Sequence, residues 1–285
     1  MPNSYTALDD ILSIACLNPA PRDQVQIAGS DPVLPTNFFI GTAGAAVISA
    51  AGLAAANLWE LRTGRRQTVS TDIRRAGMAM RSDRFVHLDG KKITGWDPVS
   101  GVYKAKNGRW LQLHCNYSHH RARTMEVLGA EGSRESFAAK VAKWDAFDLE
   151  KAVTDAGSIC GVVRSPKEWE MHPQSSVAEA LPLFEILKIG EADPEPLPDG
   201  ERPLAGIRAV DLTRVIAGPM CGRTLAEHGA DVFRISRPGF PCAEALVIDT
   251  GFGKLAGEID LVSEEGKASM RRLISSADVF SQGYR

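Results

Sequence analysis

The chain has 285 residues, of which 44% are hydrophobic and 24% charged, and its formal net charge is −2 at pH 7. This composition is typical of a soluble globular protein with one large domain or two ordinary ones. A net charge this close to zero gives no electrostatic reason to expect nucleic acid or an anionic membrane as a partner.

The cysteines and the N-terminus together favour a cytoplasmic protein. The five cysteines are scattered, with no CxxC pair and no histidines at metal-ligand spacing, so we expect free thiols and no metal site. The N-terminus has no basic segment leading into an apolar core, and we expect no signal peptide. The longest apolar stretch, 43–58, is rich in Ala and Gly and too short to cross a bilayer, which predicts a buried helix.

The first 84 residues are predicted to be a helix-rich segment. A short helix is expected over 7–17, followed by an irregular Pro-rich stretch up to residue 36. The long helix of small residues, about 42–62, should end at Gly64 as its C-cap, with a strand over 68–72 after it.

Residues 85–189 are predicted to form a small α+β domain. Its elements are expected in chain order as a hairpin, two helices and a third helix start, at 99–115, 117–129, 145–156 and 163–169. Asn107-Gly108 is a strong two-residue turn signal for the hairpin. Ser165 and Pro166 suit the cap and first position of the third helix, and His172-Pro173 should break the pattern.

A linker separates this part from the C-terminal region. Residues 190–203 contain four prolines and five acidic residues, a composition typical of an extended connection. We therefore expect the chain to divide at this point.

The C-terminal region begins with the pattern strand, tight turn, helix, strand. The four elements are predicted at 207–212, 213–219, 220–228 and 230–235. Gly218 is expected to allow a positive φ in the turn, Pro219 to open the helix and Gly229 to end it. Such a βαβ unit places two parallel strands in one sheet. A loop, a strand, a helix and a strand should follow, at 237–252, 253–261, 263–276 and 277–282.

The sequence of this region resembles the class III CoA-transferase superfamily, which includes formyl-CoA transferase, carnitine CoA-transferase and α-methylacyl-CoA racemase. The resemblance rests on VDLTRVIAGP at 210–219 and GADV at 229–232, and it continues through 253–254, 259–261, 265–266 and 277–279. It implies an α/β fold with a Rossmann-like parallel sheet, incomplete in this chain, and a small α+β domain. It also implies a homodimer.

The order of the resembling segments differs from that of the family. The helix at 42–62, the sequence TGRRQ and the strand after them are similar to the second half of the family's large domain, which there follows the βαβ unit. Here they precede it. We therefore expect a permuted or fused arrangement, or a shortened second copy, with 204–285 as the truncated opening part of a CoA-binding domain.

The activity that the resemblance implies is transfer of CoA from an acyl-CoA thioester to a carboxylic acid through an enzyme carboxylate. Coenzyme A and acyl-CoA would then be substrates, and no permanently bound cofactor is expected. Two alternatives stay open. One is an acyl-CoA racemase or isomerase of the same superfamily, and the other is a non-catalytic homologue that binds CoA.

Motif matching also suggests CoA-binding residues. Val215, Ile216 and Ala217 fall on the loop that contacts CoA in the family, and Arg237 falls on a basic residue that meets a nucleotide phosphate. The remaining matches are an apolar contact near the adenine and an Asn-Phe pair, on which Ile259 and then Gly283 and Tyr284 fall. Gly283 lacks the family's amide, and Val262 stands where the family often has a lysine. Residue types alone favour a plain βα turn with Arg237 as a solvated surface charge, and the resemblance reverses this preference toward a nucleotide site.

The catalytic carboxylate is not identified in this sequence. In the family an aspartate lies a few residues before the glycine that starts the small-residue helix. Matching on Gly41 places Asn37 there, and an amide cannot accept an acyl group. Asp31 is close by in sequence but at the wrong spacing.

Overall fold

Helices alternate with parallel strands at both ends of the chain. The sequence predicts this for the C-terminal region, but for the N-terminal one it predicts only the strand at 68–72. The structure is a computed structural model that describes residues 3–18, 21–93, 95–239 and 243–284. Two compact units are present, one made of 1–93 with 182–285 and the other of 94–181. The sequence-based boundaries lie at 84 and 189. The mixed α/β fold class is confirmed.

The N-terminal part of the first unit is a helix-rich segment with one pair of parallel strands. Its helices and strands in chain order are α1 Ser4–Ile14, β1 Val25–Ala28, α2 Ile40–Thr63, β2 Val69–Asp72, α3 Ile73–Ala79, a 3-10 turn Ser82–Phe85, β3 His87–Leu88 and β4 Lys91–Lys92. Strands β1 and β2 pair in parallel and are connected by α2. Strand β1 lies in a stretch that was expected to be irregular, because four residues are too few for a visible alternation.

The long helix α2 is the core element of this segment. Gly64 caps it in a left-handed conformation, as predicted. With 24 residues it has the length and composition to cross a membrane, so the expectation that this stretch is too short for a span is wrong. Half of its most apolar 18-residue segment is buried inside the structure. Ala46 and Leu53 pack against Leu8 and Leu12 of α1.

A buried carboxylate closes the N-terminus of α2. Asp31 is only 8% exposed. One of its oxygens accepts hydrogen bonds from the backbone N–H groups of Val33 and Gly41, each at 3.2 Å, and the other accepts from the N–H of Thr42 at 2.6 Å. The N-cap residue Phe39 provides no side-chain cap, so Asp31 serves as the cap from a distance of several residues.

The second unit is a three-stranded antiparallel sheet covered by helices. Its elements are β5 Gly101–Lys104, β6 Trp110–Leu113, α4 Ser118–Leu128, α5 Arg134–Val141, α6 Ala146–Asp155, β7 Cys160–Val162, α7 Pro166–Glu170 and α8 Pro173–Ala180. The predicted hairpin is confirmed as β5 and β6, and β7 pairs with β6. The core contains Phe137, Leu111, Leu113 and Leu149, all fully buried.

Side-chain caps begin the last two helices of this unit. Ser165 caps α7 with Pro166 at its first position, as predicted, and Glu168 completes a capping box. A bidentate ion pair with Arg109 is the main cause that lowers the pKa of Glu168 to about 2. Helix α7 ends at Glu170, so the helical pattern breaks before His172-Pro173, as expected. The His172 imidazole then accepts from the Gln174 N–H and starts a new helix, α8.

The C-terminal part of the first unit is a four-stranded parallel sheet. Its elements are β8 Arg208–Leu212, α9 Ala217–Glu227, β9 Asp231–Ser236, α10 Glu244–Gly251, β10 Lys254–Glu258, α11 Glu264–Ser275 and β11 Val279–Gln282. The strand order is β10-β9-β8-β11, with every neighbouring pair parallel. Two separate apolar clusters form, one with Ala226 of α9 and one with Met270 of α11.

Three local expectations for this region are wrong. Residues 237–252 were predicted to be a loop, but they contain α10, whose N-cap Ala243 gives no side-chain capping signal. Gly218 does not take a positive φ, whereas Val215 does, at +72°. Helix α9 begins at Ala217, so Pro219 is its third residue rather than its first.

Replacement of Asp31 by Asn tests the capping role. Burial by itself raises the pKa of the Asp31 carboxyl, but hydrogen bonds from Thr42, Val33 and Gly41 outweigh this and hold the pKa below its ordinary value. The stability that the carboxylate contributes is therefore full above the unfolded-state pKa and is lost as the pH falls through the lower folded-state pKa. We expect D31N to lower the free energy of unfolding by about 1–3 kcal/mol at pH 7.

Chemical denaturation of D31N and the unaltered chain at pH 7 and at low pH measures this difference. The gap between the two proteins should close in acid. A gap that is equally large at both pH values would show that shape rather than charge makes Asp31 important. Asn37→Asp, at an exposed position in the same loop, is the control and should change stability little.

Candidate functional site

Four loops meet at one edge of the parallel sheet. Because β8, β9, β10 and β11 are all parallel, the residues that follow their carboxyl ends lie at the same edge. The predicted CoA-binding residues come from all four loops, namely Val215, Ile216, Ala217, Arg237, Ile259, Gly283 and Tyr284. Val215 and Tyr284, 69 positions apart in sequence, are therefore placed at one edge of the sheet.

The strand order reverses at β8 and β11. The chain leaves β8 through α9 toward β9, whereas β11, on the other side of β8, is reached from β10 through α11. Ligands of open α/β sheets bind outside the carboxyl ends of the strands at such a reversal. The loop after β8 and the residues Gly283 and Tyr284 after β11 flank this position.

The loop between β8 and α9 has an unusual backbone. Val215 is β-branched and has φ of +72°, a region in which such residues are rare. Val215 and Ile216 are both half-exposed. Ile216 is the N-cap of α9 and offers no side-chain cap, and the first turn of that helix contains no acidic residue. Among the described residues, neither Ile216 nor the first turn of α9 thus provides a carboxylate for the first backbone N–H groups, and a helix N-terminus is where an anion is favoured.

A fully buried ion pair lies beneath this loop. The Lys254 ammonium donates to Asp211 Oδ2 at 2.8 Å and to the Pro219 carbonyl at 2.7 Å. Both charged side chains are only 1% exposed. Asp211 Oδ1 accepts from the N–H of Thr213 at 3.0 Å and also from its hydroxyl. The pair joins β10, β8 and the start of α9 at a single point.

Two glycines allow α9 to approach the pair. A Cβ at Gly222 would lie 2.6 Å from Asp211 Oδ2 and 2.9 Å from the Lys254 ammonium. At Gly218 it would lie 2.4 Å from the Cβ of Thr213. Gly218 is therefore needed for close packing of the loop against the helix and not, as expected, for a positive φ.

The remaining predicted residues differ in their surroundings. Arg237 is half-exposed, and its Nε lies 3.9 Å from Asp260 Oδ1. The Ile259 N–H donates to the Ser236 carbonyl at 2.9 Å, and its side chain packs partly against the cluster around Val210 and Ile235. Tyr284 is half-exposed and Gly283 is exposed. These placements are compatible with the predicted roles and do not test them.

The two candidates for a catalytic carboxylate lie elsewhere in the same unit. Asn37 is exposed before α2. Asp31 borders a cavity of about 270 Å³ together with Thr42, Phe39 and Ile73. Three backbone N–H groups occupy its oxygens and its pKa is lowered, so Asp31 is a stabilised anion and a weak nucleophile.

The histidines give no metal site in the part of the chain that the structure describes. The rings of His119 and His120 lie 4.1 Å apart. Burial is the main cause that lowers the pKa of His120, and the neighbouring His119, His114 and Arg123 lower it further. The neutral imidazole is thus favoured there.

Of the cysteines, 16, 115, 160 and 221 are free thiols, and Cys242 lies outside the described residues.

Sequence reasoning missed the groups that support the site. Asp211 stands between the apolar residues Val210 and Leu212 of a strand run, which is a recognisable sign of a buried, paired carboxylate. Its partner Lys254 is 43 positions away and could not be chosen without the strand order. Asp260, the neighbour of Arg237, lies in the segment 259–261 that carries part of the resemblance, but its contact with Arg237 joins the loops after two strands and could not be read from the sequence.

Comparison with known proteins agrees with the resemblance seen in the sequence. Residues 204–285 match the profile of CoA-transferase family III. The chain is 28% identical over 207 residues to the acetyl-coenzyme A transferase nodX of Hypoxylon pulicicidum, covering 66% of this chain and 35% of that protein. It is 26% identical over 255 residues to an acyl-CoA transferase of Gibberella moniliformis, covering 76% of this chain and 44% of that protein.

Shorter matches concern bacterial proteins. The succinate–glutarate CoA-transferase of Agrobacterium fabrum is 36% identical over 107 residues, which is 31% of this chain and 27% of that protein. A crystal structure of the hypothetical protein Rv3272 from Mycobacterium tuberculosis shares 35% identity, covers 28% of this chain and 24% of the other, and has a TM-score of 0.26. The chain spans less than half the length of the curated relatives described here.

Replacement of Lys254 by Met tests the buried pair. Loss of the ammonium leaves the Asp211 carboxylate buried without its counter-charge, and we expect this to cost about 3–5 kcal/mol. Chemical denaturation measures the loss in the free energy of unfolding, and hydrogen exchange of the β8 and β9 amides in the folded protein measures the local loss of protection. The double variant K254M/D211L, which removes both charges, should recover part of the loss. A cost below about 1 kcal/mol for K254M would contradict the role of the pair.

Proposed function

We propose, from the match of residues 204–285 to the profile of CoA-transferase family III, that this protein transfers CoA from an acyl-CoA thioester to a carboxylic acid. The observation that carries the proposal is the open N-terminus of α9 at the reversal of strand order. The predicted CoA-binding residues from four separate loops lie along the same sheet edge.

The arrangement suits the chemistry of coenzyme A. The first N–H groups of α9 and the dipole of that helix would bind the diphosphate. The exposed side chains of Val215, Ile216 and Tyr284 offer apolar contact for the pantetheine chain and the adenine ring. We expect the conformation of Val215 to be maintained by the buried pair and Thr213 below it, so that the loop is formed before the ligand arrives.

The proposed transfer uses an enzyme carboxylate as nucleophile. The carboxylate attacks the thioester carbonyl, forming a mixed anhydride and releasing the CoA thiolate. The thiolate then attacks the enzyme acyl carbon, giving an enzyme-CoA thioester and the free carboxylate of the donor. The carboxylate of the acceptor acid then attacks the enzyme-CoA thioester, which forms a second mixed anhydride and releases the CoA thiolate again. The thiolate attacks the acceptor's acyl carbon, which gives the new acyl-CoA and frees the enzyme carboxylate. We assign this nucleophile to no described residue, because Asn37 is an amide and Asp31 is a helix cap.

We further propose a cytoplasmic homodimer.

Replacement of Ile216 by Asp tests CoA binding at α9. An aspartate at an N-cap stabilises a helix by about 1 kcal/mol, so the melting temperature should stay the same or rise. The same carboxylate occupies the N–H groups that the diphosphate would use and repels it. We therefore expect calorimetry to show CoA affinity reduced about tenfold or more.

The matched control is Ile216→Asn, which can cap the helix without a charge. It should bind CoA more tightly than I216D. Equal CoA affinities for the unaltered chain and I216D would contradict binding at this terminus. The opposite signs expected for stability and affinity exclude misfolding as the cause of a loss.

A labelling assay on the protein tests the reaction itself. We expect isotope-labelled CoA to move between an acyl-CoA pool and an added carboxylic acid. Exchange of the α-proton of the acyl group without movement of CoA would instead support the racemase alternative. Binding of CoA without either reaction would support a non-catalytic homologue.

A further inference from the structure

Arg237 is the predicted phosphate-binding cation, and it already has an anionic neighbour. Its Nε lies 3.9 Å from Asp260 Oδ1, and both side chains are half-exposed. A phosphate that approaches Arg237 therefore also approaches the Asp260 carboxylate. The repulsion between the two anions offsets part of the attraction to the guanidinium.

The position of Asp260 is fixed by its own hydrogen bonds. The Val262 N–H donates to Asp260 Oδ1 at 3.1 Å, and the Ser263 hydroxyl donates to the Asp260 carbonyl at 2.8 Å. Ser263 in turn caps α11 through the Gly266 N–H at 3.0 Å. Because these bonds tie Asp260 to the start of α11, the carboxylate cannot easily turn away when a phosphate arrives.

Other charges along this edge do not favour a multiply charged anion. Arg214 follows β8 and Arg237 follows β9, while Glu258 ends β10 and Asp260 follows it. The start of α11 adds two more carboxylates, Glu264 and Glu265, and one cation, Lys267, whose ammonium lies 2.8 Å from Glu264 Oε1. These described side chains include four carboxylates and three cations, so together they supply no general attraction for phosphate.

We propose that Asp260 is a specificity-determining residue that reduces the contribution of the CoA 3′-phosphate to binding. The inference rests on the proposed function. The diphosphate binds at the α9 N-terminus, and the 3′-phosphate faces the Arg237–Asp260 pair. The protein therefore binds CoA and 3′-dephospho-CoA with similar affinity and selects its ligand chiefly by the diphosphate, pantetheine and adenine.

Calorimetry with CoA and with 3′-dephospho-CoA tests this on the full chain and on the variants D260N and R237Q. Asn at 260 keeps the oxygen that accepts from Val262 but removes the charge. In the unaltered chain the two affinities should differ by at most about threefold, since half-exposed ion pairs contribute little. D260N should raise the ratio of CoA affinity to 3′-dephospho-CoA affinity by about fivefold. R237Q should give a ratio close to one, because it removes the cation that attracts the 3′-phosphate.

The outcomes separate this inference from the proposed function. A preference for CoA of more than about tenfold in the unaltered chain would overturn the inference and leave the proposed function standing. A ratio of the two affinities that is the same in D260N as in the unaltered chain would also overturn the inference. A merely structural effect of D260N would weaken both ligands equally and leave the ratio unchanged. Absence of binding for both ligands would overturn the proposed function, and the inference with it.

Discussion

The contact between Lys254 and Asp211 is the constraint on which the C-terminal sheet depends. Removing two charges from water is costly, and the cost is offset only when each charge is well paired and hydrogen-bonded. Here the ammonium reaches both a carboxylate and the Pro219 carbonyl, and the carboxylate also accepts from Thr213. A shift of β10 or α9 relative to β8 would leave a buried charge unpaired. The pair therefore fixes how these three elements pack, which is also why no side chain fits at Gly222.

The candidate site takes its shape from this buried support. Thr213, bonded to Asp211, begins the loop, and Val215 two residues later has a positive φ that an isolated chain would avoid. The loop brings the start of α9 to the sheet edge with its first N–H groups open. A strained residue at a candidate binding loop is consistent with a site formed in advance. Such a site requires less ordering when a ligand binds.

The two βαβ units of this chain treat the start of their connecting helix in opposite ways. In the β1-α2-β2 unit, Asp31 places a buried carboxylate against the first N–H groups of α2. In the described part of the β8-α9-β9 unit, the N-cap residue Ile216 gives no side-chain cap and the first turn of α9 has no acidic residue. One helix terminus is thus neutralised by the protein's own anion, and the other is open to an external one. This difference supports α9 rather than α2 as the position for a phosphate-containing ligand.

The sequence alone determined the features that depend on neighbouring residues. The apolar runs of β8 and β9, the hairpin turn at Asn107-Gly108, the Gly64 cap and the Ser165-Pro166 helix start each follow from local side-chain and backbone preferences. The family resemblance likewise came from consecutive motifs. Local signals were too weak for β1 and α10, which lack a long alternation or a capping side chain. Only the tertiary structure decided that Lys254 meets Asp211 and that Asp260 meets Arg237, because those contacts join elements brought together by the strand order. The positive φ belongs to Val215 rather than Gly218 for the same reason: packing against Thr213, and not the intrinsic freedom of glycine, sets the path of the loop.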